Sequence, residues 1–339
     1  MLLFPNPSIR QAARRALLVL TATGLLASCQ DKGKDGKLLD TPTSGSIRIT
    51  VDETLRPIIA AHIDSFQALY LAAKVRPTYA PEADAMAEFL ASDSVRGIVA
   101  ARKLTPDEEA ELLKKQVYAV HTRVAVDGVA VILHPSNPDS LLSVGQVAEL
   151  ASGRATTWAQ LNADNKLGAA TVVFDNSASS TRRYVRDSVL APGQDVAATA
   201  FATKTHAELI EYVATHPGAV GFIGVNWISD HDDAAVRGFL KKVRVAALTT
   251  KRGGARAADF VKPYQANIAL WRIRKAPYYP LCRDLYVITR EGRAGLGTGF
   301  ASFVAGDKGQ RIFLKAGLVP TTAPVRLVQT EADRPAPPQ

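Results

Sequence analysis

The stretch of this chain best suited to chemistry is Thr171-Val172-Val173-Phe174-Asp175-Asn176-Ser177-Ala178-Ser179-Ser180-Thr181-Arg182-Arg183-Tyr184. A β-branched run ends at Asp175, small and polar residues turn the chain, and a helix is expected from about Ser180. A helix start leaves its first backbone N–H groups unpaired at the positive end of the helix dipole. With the hydroxyls of Ser179, Ser180 and Thr181 beside them, these N–H groups form the makings of an anion site. Arg182 and Arg183 sharpen the point, because two cations in a first helical turn oppose the dipole, and an anion held there would remove the conflict. The same residues also suit a plain serine-rich cap with both arginines in solvent, and the loop alone leaves both readings open.

The elements around this loop alternate. Ser46–Val51 alternates polar and apolar residues as a strand does, and Leu55, Ile58, Ile59, Ile63, Phe66 and Tyr70 then recur at helical spacing, with Thr54 placed as N-cap. Val95–Ala101 and Val129–His134 read as buried strands. Thr105 with Glu108, Ser143 with Gln146 and Thr205 with Glu208 have the spacing of capping boxes, the first with Pro106 at the opening helical position. Gly218–Gly224 is a short glycine-bounded strand, Asp284–Thr289 a late one, and Gly299–Leu314 a closing helix. Strand–helix alternation of this kind predicts an α/β fold with largely parallel sheets.

The N-terminus carries a different signal. Arg10, Arg14 and Arg15 precede any acidic residue, and an apolar stretch from Ala16 to Ala27 follows. At about a dozen residues it is too short to span a bilayer and right for a signal-peptide core. It closes on Leu26-Ala27-Ser28-Cys29, small residues directly before a cysteine, which predicts cleavage after residue 28 and lipid attachment at Cys29. The expected membrane partner is therefore reached through that lipid. Gln30 after the cysteine leans toward the outer membrane over the periplasmic face. Asp31–Lys37 is polar and glycine-rich, so 29–45 reads as a flexible tether, and Pro335–Pro338 lies in an expected disordered tail, 326–339. Removing the leader lowers the formal charge from +9 to +6, since three arginines and no acids leave with it. That mild excess is spread along the chain without the basic, aromatic-interleaved stripe of a nucleic-acid binder. With Cys29 lipidated, Cys282 stands alone, so no internal disulfide is expected and Cys282 reads as a small core residue.

From about residue 46 to 322 the chain resembles the PstS-like substrate-binding proteins of phosphate ABC transporters. Ser179-Ser180-Thr181 is similar to that family's Ser-Gly-Thr anion loop. Glu53-Thr54-Leu55-Arg56-Pro57 sits where the family has a Ser-Thr-Val-x-Pro segment, and Ala101-Arg102-Lys103-Leu104-Thr105 resembles Ser-Arg-Pro-Leu-Thr. Pro135–Pro138, Ala151–Arg154 with Trp158, Gly218–Phe222, Tyr279–Leu281, Phe300–Phe303 and Gly309-Gln310 match framework segments in order. The resemblance implies a periplasmic-binding-protein fold of two α/β lobes, each a mostly parallel sheet flanked by helices. Lobe one would take 46–126 and 266–325, and lobe two 127–265. It further implies that phosphate or a similar oxyanion is held by Thr54, Ser179, Ser180, Thr181, Arg182 and Arg102, without a cofactor, by a monomer that serves an ABC permease. Replacing Arg183 is expected to matter less than replacing Arg182 if Arg183 points outward. The chain departs from the pattern at Glu82-Ala83-Asp84, in place of a Gly-Ser-Gly loop, at Ala101, in place of an acid, and at Phe174 or Asp175, in place of an arginine.

Two other classes compete. An enzyme would draw on Asp175, Ser177, His121, His134, His206 or His216, but no Gly-x-Ser-x-Gly elbow, His-Glu-x-x-His or Cys-x-x-Cys accompanies them. His231-Asp232-Asp233 reads as a solvated turn rather than a metal site. The acidic replacement at Glu82 and Asp84 favours a second reading, a two-lobe lipoprotein acting as sensor or scaffold without phosphate transport.

Overall fold

Strand β1 (Gly45–Asp52) sends Ile47, Ile49 and Val51 to one face and Thr50 and Asp52 to the other, and all five are buried. A strand buried on both faces belongs in the middle of a layered α/β unit. The computed structural model that shows this describes residues 39–322, except 231, 233 and 276. The expected leader, Cys29 as the expected lipid site, the first part of the expected tether, the expected tail from 326 and two of the three residues in His231-Asp232-Asp233 lie outside the described residues.

β1 pairs in parallel with β2 (Ala73–Ala80) and β3 (Val95–Ala100). Helix α1 (Arg56–Leu69) follows β1 and buries Ile58, Ile59, Ile63 and Phe66; α2 (Glu82–Ala91) follows β2, and α3 (Pro106–Lys114) follows β3. The long strand β4 (Val120–Leu133) comes next, then β5 (Leu141–Ser143) and α4 (Val144–Ala151). β6 (Thr171–Phe174) leads to α5 (Ser180–Ser188), β7 (Phe201–Ala202) to α6 (His206–Thr215), and β8 (Ala219–Gly224) to α7 (Ala234–Lys242). Two short strands, β9 (Arg244–Val245) and β10 (Ala247–Thr249), precede α8 (Gln265–Arg272). β11 (Cys282–Thr289), α9 (Leu296–Ala305), α10 (Asp307–Lys315) and β12 (Val319–Pro320) close the described chain.

Among the described residues the main sheet runs β2-β1-β3-β11-β4-β8-β6-β7, with β9 and β12 also on β4. Its two ends are parallel and its centre is antiparallel, because β4 opposes β11 over residues 120–128 and β8 over residues 129–133. β4 thereby runs through two hydrophobic regions. Toward its start, one cluster gathers Ile47, Ile49, Val51, Phe66, Leu285 and Phe300, and another packs Met86, Phe89, Ile98 and Leu112 on the opposite face. Toward its end, a large cluster joins Val129–Leu133, Trp158, Phe174, Tyr184, Phe222 and Tyr279. We call these regions the first and second cores. Ile268, Tyr279, Leu281 and Cys282 pack in the second core. The α/β class expected from the sequence is the class observed.

Local differences have physical causes. Thr54 does not cap α1: a short 3₁₀ turn, Glu53–Leu55, intervenes, and the Asp52 carboxylate accepts the Thr54 N–H instead. The closing helix is two helices, interrupted at an extended Gly306; a β-carbon on Gly309 would collide with the Phe303 and Val304 carbonyls, so only glycine permits that corner. The boxes at Thr105 and Ser143 form as read, whereas Glu208 turns to the Lys204 N–H while Thr205 caps alone. Residues 41–44, within the expected tether, already form a turn bridged between Thr41 and Ser44.

Candidate functional site

Two carboxyl ends of parallel strands and one antiparallel pair converge on a buried polar cluster. The end of β1 supplies Asp52 and Thr54, and the end of β6 with the start of α5 supplies Asp175, Ser179, Ser180 and Thr181. The register of β4 on β11 sets Asp127 directly opposite Arg283. All eight side chains are buried. Carboxyl ends of strands in open α/β sheets are where such folds place ligands, because helix starts and unpaired loops meet there.

Arg283 organises the cluster. Its Nε and Nη2 lie 3.0 and 2.9 Å from Asp127 Oδ2. Nη1 donates to Ser180 Oγ at 2.9 Å, and Nη2 lies 3.4 Å from Thr54 Oγ1. Ser180 Oγ and Thr54 Oγ1 are themselves 3.0 Å apart, which joins a residue of the first core to one of the second. Thr54 Oγ1 donates to Asp52 Oδ2 at 2.8 Å, and its carbonyl accepts from Asn226 Nδ2 at 3.0 Å and Trp227 Nε1 at 2.8 Å. Beneath lies His206, stacked on Trp227 at 4.1 Å between ring centres, with Nε2 3.3 Å from Asp175 Oδ2.

Burial governs the protonation of these groups. It pushes the Asp52 carboxyl up to about 6, with repulsion from Glu82 adding to the effect and Arg283 opposing it. It pushes Asp175 to about 7 against the pull of the Ser179 hydroxyl. Asp127 is raised by burial too, with Arg283 drawing it back. His206 is driven down to about 3 by burial and then by the Arg283 charge, so it is neutral at pH 7. Among the described residues, the buried oxygens Thr181 Oγ1, Asp175 Oδ1, Asp127 Oδ1 and Asn226 Oδ1 of this cluster make no hydrogen bond. Buried polar atoms in that condition are uncommon and call for a partner.

The six anion-binding residues expected from the sequence divide. Thr54 and Ser180 touch, Ser179 caps α5 by accepting the Arg182 N–H at 3.1 Å, and Thr181 lies buried in the first turn. Arg182 turns away: its guanidinium is 3.6 Å from Asp195, and Nη1 lies 3.5 Å from Ser177 O. Arg183 turns inward to Glu82, so the condition under which it would matter less is not met. Helix geometry explains the exchange, since residue 183 lies one turn on from Ser180 and shares its face. Arg102 is held by Glu108 at 2.6 and 2.7 Å and lies outside the Thr54–Ser180 contact. Sequence reading missed Asp52, Asp127, Asp175, His206, Asn226 and Arg283 as members of the cluster. A signal for one of them was present: Asp127 is the single charge in the apolar run Val124–Leu133, and a charge buried there needs a counter-charge.

A family model described as a PBP superfamily domain matches residues 39–308. Curated relatives include the phosphate-binding protein PstS of Staphylococcus aureus strain USA300, 25% identical over 321 residues, covering 93% of this chain and 89% of that one. PstS of Staphylococcus epidermidis strain ATCC 12228 is 26% identical over 234 residues, 67% of each chain. Among solved structures, an ABC-type phosphate transport receptor from Vibrio cholerae superposes with a TM-score of 0.61 at 18% identity, covering 82% of this chain and all of its own. A candidate phosphate ABC transporter substrate-binding protein from Clostridium perfringens, solved with bound phosphate, gives 0.66 at 18% identity over the same shares.

Proposed function

We propose that this chain, which belongs to the PBP superfamily and is PstS-like, captures inorganic phosphate outside the cytoplasm and delivers it to an ABC transporter. It acts as a binding protein, without covalent chemistry. The observation that carries the reading is Arg283, a fully buried guanidinium shared by Asp127, Ser180 and Thr54 where the two cores meet. The resemblance to proteins named for phosphate binding supports the choice of anion.

The site meets an anion mainly with dipoles. Asp127 already balances the Arg283 charge, so a ligand is held by the hydroxyls of Thr54, Ser180 and Thr181 and by the N–H groups opening α5. Asp52 and Asp175 add acceptors to the cluster. A ligand that keeps a proton can donate it in a charge-assisted hydrogen bond to either carboxylate, which favours phosphate over fully ionised sulfate. Residues 46–126 with 266–325 and 127–265 form the two lobes of the proposal, Cys29 carries the lipid anchor, and the protein works as a monomer with a permease. No helix among the described residues is long and apolar enough to cross a membrane, so on this reading the membrane is reached through the lipid.

Titration calorimetry with phosphate, sulfate and arsenate tests the proposal. Losing one hydroxyl donor to a charged ligand costs about 1.5–3 kcal/mol, so Thr181→Ala should weaken phosphate binding roughly ten- to a hundred-fold. Arg182→Ala, at a residue turned outward, should change it less than about threefold. Absence of binding of all three anions by folded wild type would remove phosphate capture and leave the sensor or scaffold reading, which the acid at Glu82 favours.

A further inference from the structure

Glu82 opens α2 in the first core with its carboxylate almost fully buried. Both its oxygens take Arg183 of α5, which packs in the second core: Nε donates to Oε2, and Nη2 to Oε1 at 3.2 Å. The Arg183 Nη2 group also lies 3.4 Å from the Ala101 carbonyl, at the end of β3. On the other side of Glu82, Arg102 Nε lies 3.8 Å away, and Arg102 is itself gripped by Glu108 in the first turn of α3. Beyond Arg183, its Nη1 is 3.6 Å from Asp187, one turn further along α5. Signs therefore alternate through Glu108, Arg102, Glu82, Arg183 and Asp187. The first three stand on elements of the first core and the last two on α5. Glu82 is the most buried member of the row at 3% side-chain exposure, and burial falls along α5 to Asp187 at 43%.

We propose that Glu82 is a positioning residue for anion capture: through Arg183 it clasps the first core to the second without any ligand, and so controls how often the Thr54–Ser180 junction opens. Its geometry is the planar, two-point pairing that makes arginine–carboxylate contacts specific. Each core keeps its own apolar packing if the clasp breaks, because the apolar members of the cores, such as Met86 and Phe89 on α2 and Tyr184 and Val185 on α5, are other residues. What is lost is the link between them. A bland alternative is an acid that merely favours the start of α2 through the helix dipole. That role is indifferent to Arg183, so the two roles separate in a double-mutant cycle.

The inference rests on phosphate capture for one of its two readouts. Stopped-flow release of phosphate is measured for wild type, Glu82→Gln, Arg183→Gln and the double variant. Breaking a buried pair from either side should speed release about tenfold or more, and the double variant should be no faster than the single ones. Changes under about twofold, or effects that multiply in the double variant, overturn the clasp. The second readout needs no ligand: Trp227 donates to the Thr54 carbonyl across the same junction, so acrylamide quenching of its fluorescence reports opening. Quenching assigned with a Trp227→Phe control should rise in both single variants, and in wild type at molar salt. If wild type binds no phosphate, the capture reading fails while raised quenching still supports the clasp; unchanged quenching removes the clasp whatever phosphate does.

Discussion

Replacing Arg283 with methionine removes the guanidinium from a buried cluster and leaves the Asp127 carboxylate buried beside an apolar stem. Asp127 loses contacts of 3.0 and 2.9 Å, and Ser180 loses a donor at 2.9 Å. An unpaired buried carboxylate escapes its desolvation cost by taking a proton. From an ordinary value of 3.8, each pH unit of forced protonation costs about 1.4 kcal/mol. The loss is therefore capped near ~5 kcal/mol at pH 7.5 and near ~2 kcal/mol at pH 5, in line with the ~3–5 kcal/mol expected for breaking a buried pair. The sign follows from linkage: a carboxyl whose folded-state pKa is raised keeps its contribution below about 3.8 and loses it as pH rises. Urea unfolding of Arg283→Met at both pH values measures this, with the slope checked for two-state behaviour. Adding Asp127→Asn, which keeps the shape and removes the charge, should restore most of the stability and flatten the pH dependence. A loss below about 1 kcal/mol at pH 7.5, an equal loss at both pH values, or a double variant no better than the single one would refute the reasoning.

Asp175 follows the same sign in the wild-type chain. Burial raises its pKa from 3.8 to about 7, so its contribution to stability is fully present below pH 3.8 and disappears as pH rises through 7. Asp175→Asn should therefore have a higher urea midpoint than wild type at pH 8, an advantage that shrinks as pH falls and vanishes only below about pH 4, and a variant less stable at pH 8 would contradict the assignment. Cys29→Ser should abolish incorporation of a tagged fatty acid in cells, and label persisting on that variant would sink the proposed lipid anchor.

The α/β class, most strand and helix positions, two of the capping boxes and the hydroxyls of the α5 turn were legible because each depends on neighbours in sequence. Ser179 caps α5 three residues before the N–H it binds, and apolar periodicity places Ile58, Ile59, Ile63 and Phe66 on one face of α1. What escaped depends on register and on rotation about a helix axis. Asp127 and Arg283 are 156 residues apart in sequence and meet only because β4 and β11 pair in one register. A shift by one residue would send each charge to the opposite face. Arg182 and Arg183 are equivalent as adjacent arginines at a helix start. A single residue step, about 100° around the helix axis, separates their fates, since Arg183 lies over Ser180 while Arg182 lies over Ser179 and faces Asp195. Asp52 displaced Thr54 as the capping residue because the chain takes a 3₁₀ turn before α1, a detail that residue type alone does not set.

The position of the Asp127–Arg283 pair also bears on how capture could be coupled to motion. Both residues stand where β4 and β11 pass from the first core to the second. Val126 already packs in the second core while Ala125 packs in the first, and Cys282 and Leu285 divide in the same way. The ladder between these strands is irregular at this crossing, with a register shift between Leu285 and Tyr286. Bulges of this kind bend a strand and raise its twist, so a change in angle between the cores is most easily absorbed there. Arg283 is two residues from the irregularity, and its guanidinium reaches Thr54 on one side and Ser180 on the other. A small rotation about the crossing strands would change both distances together. On the proposed reading, an anion that bridges the Thr54 turn and the α5 turn acts on the same side chain that sits at the pivot. Binding then stabilises one angle between the cores through contacts made in that arrangement alone, which is the condition for a ligand to shift a conformational equilibrium.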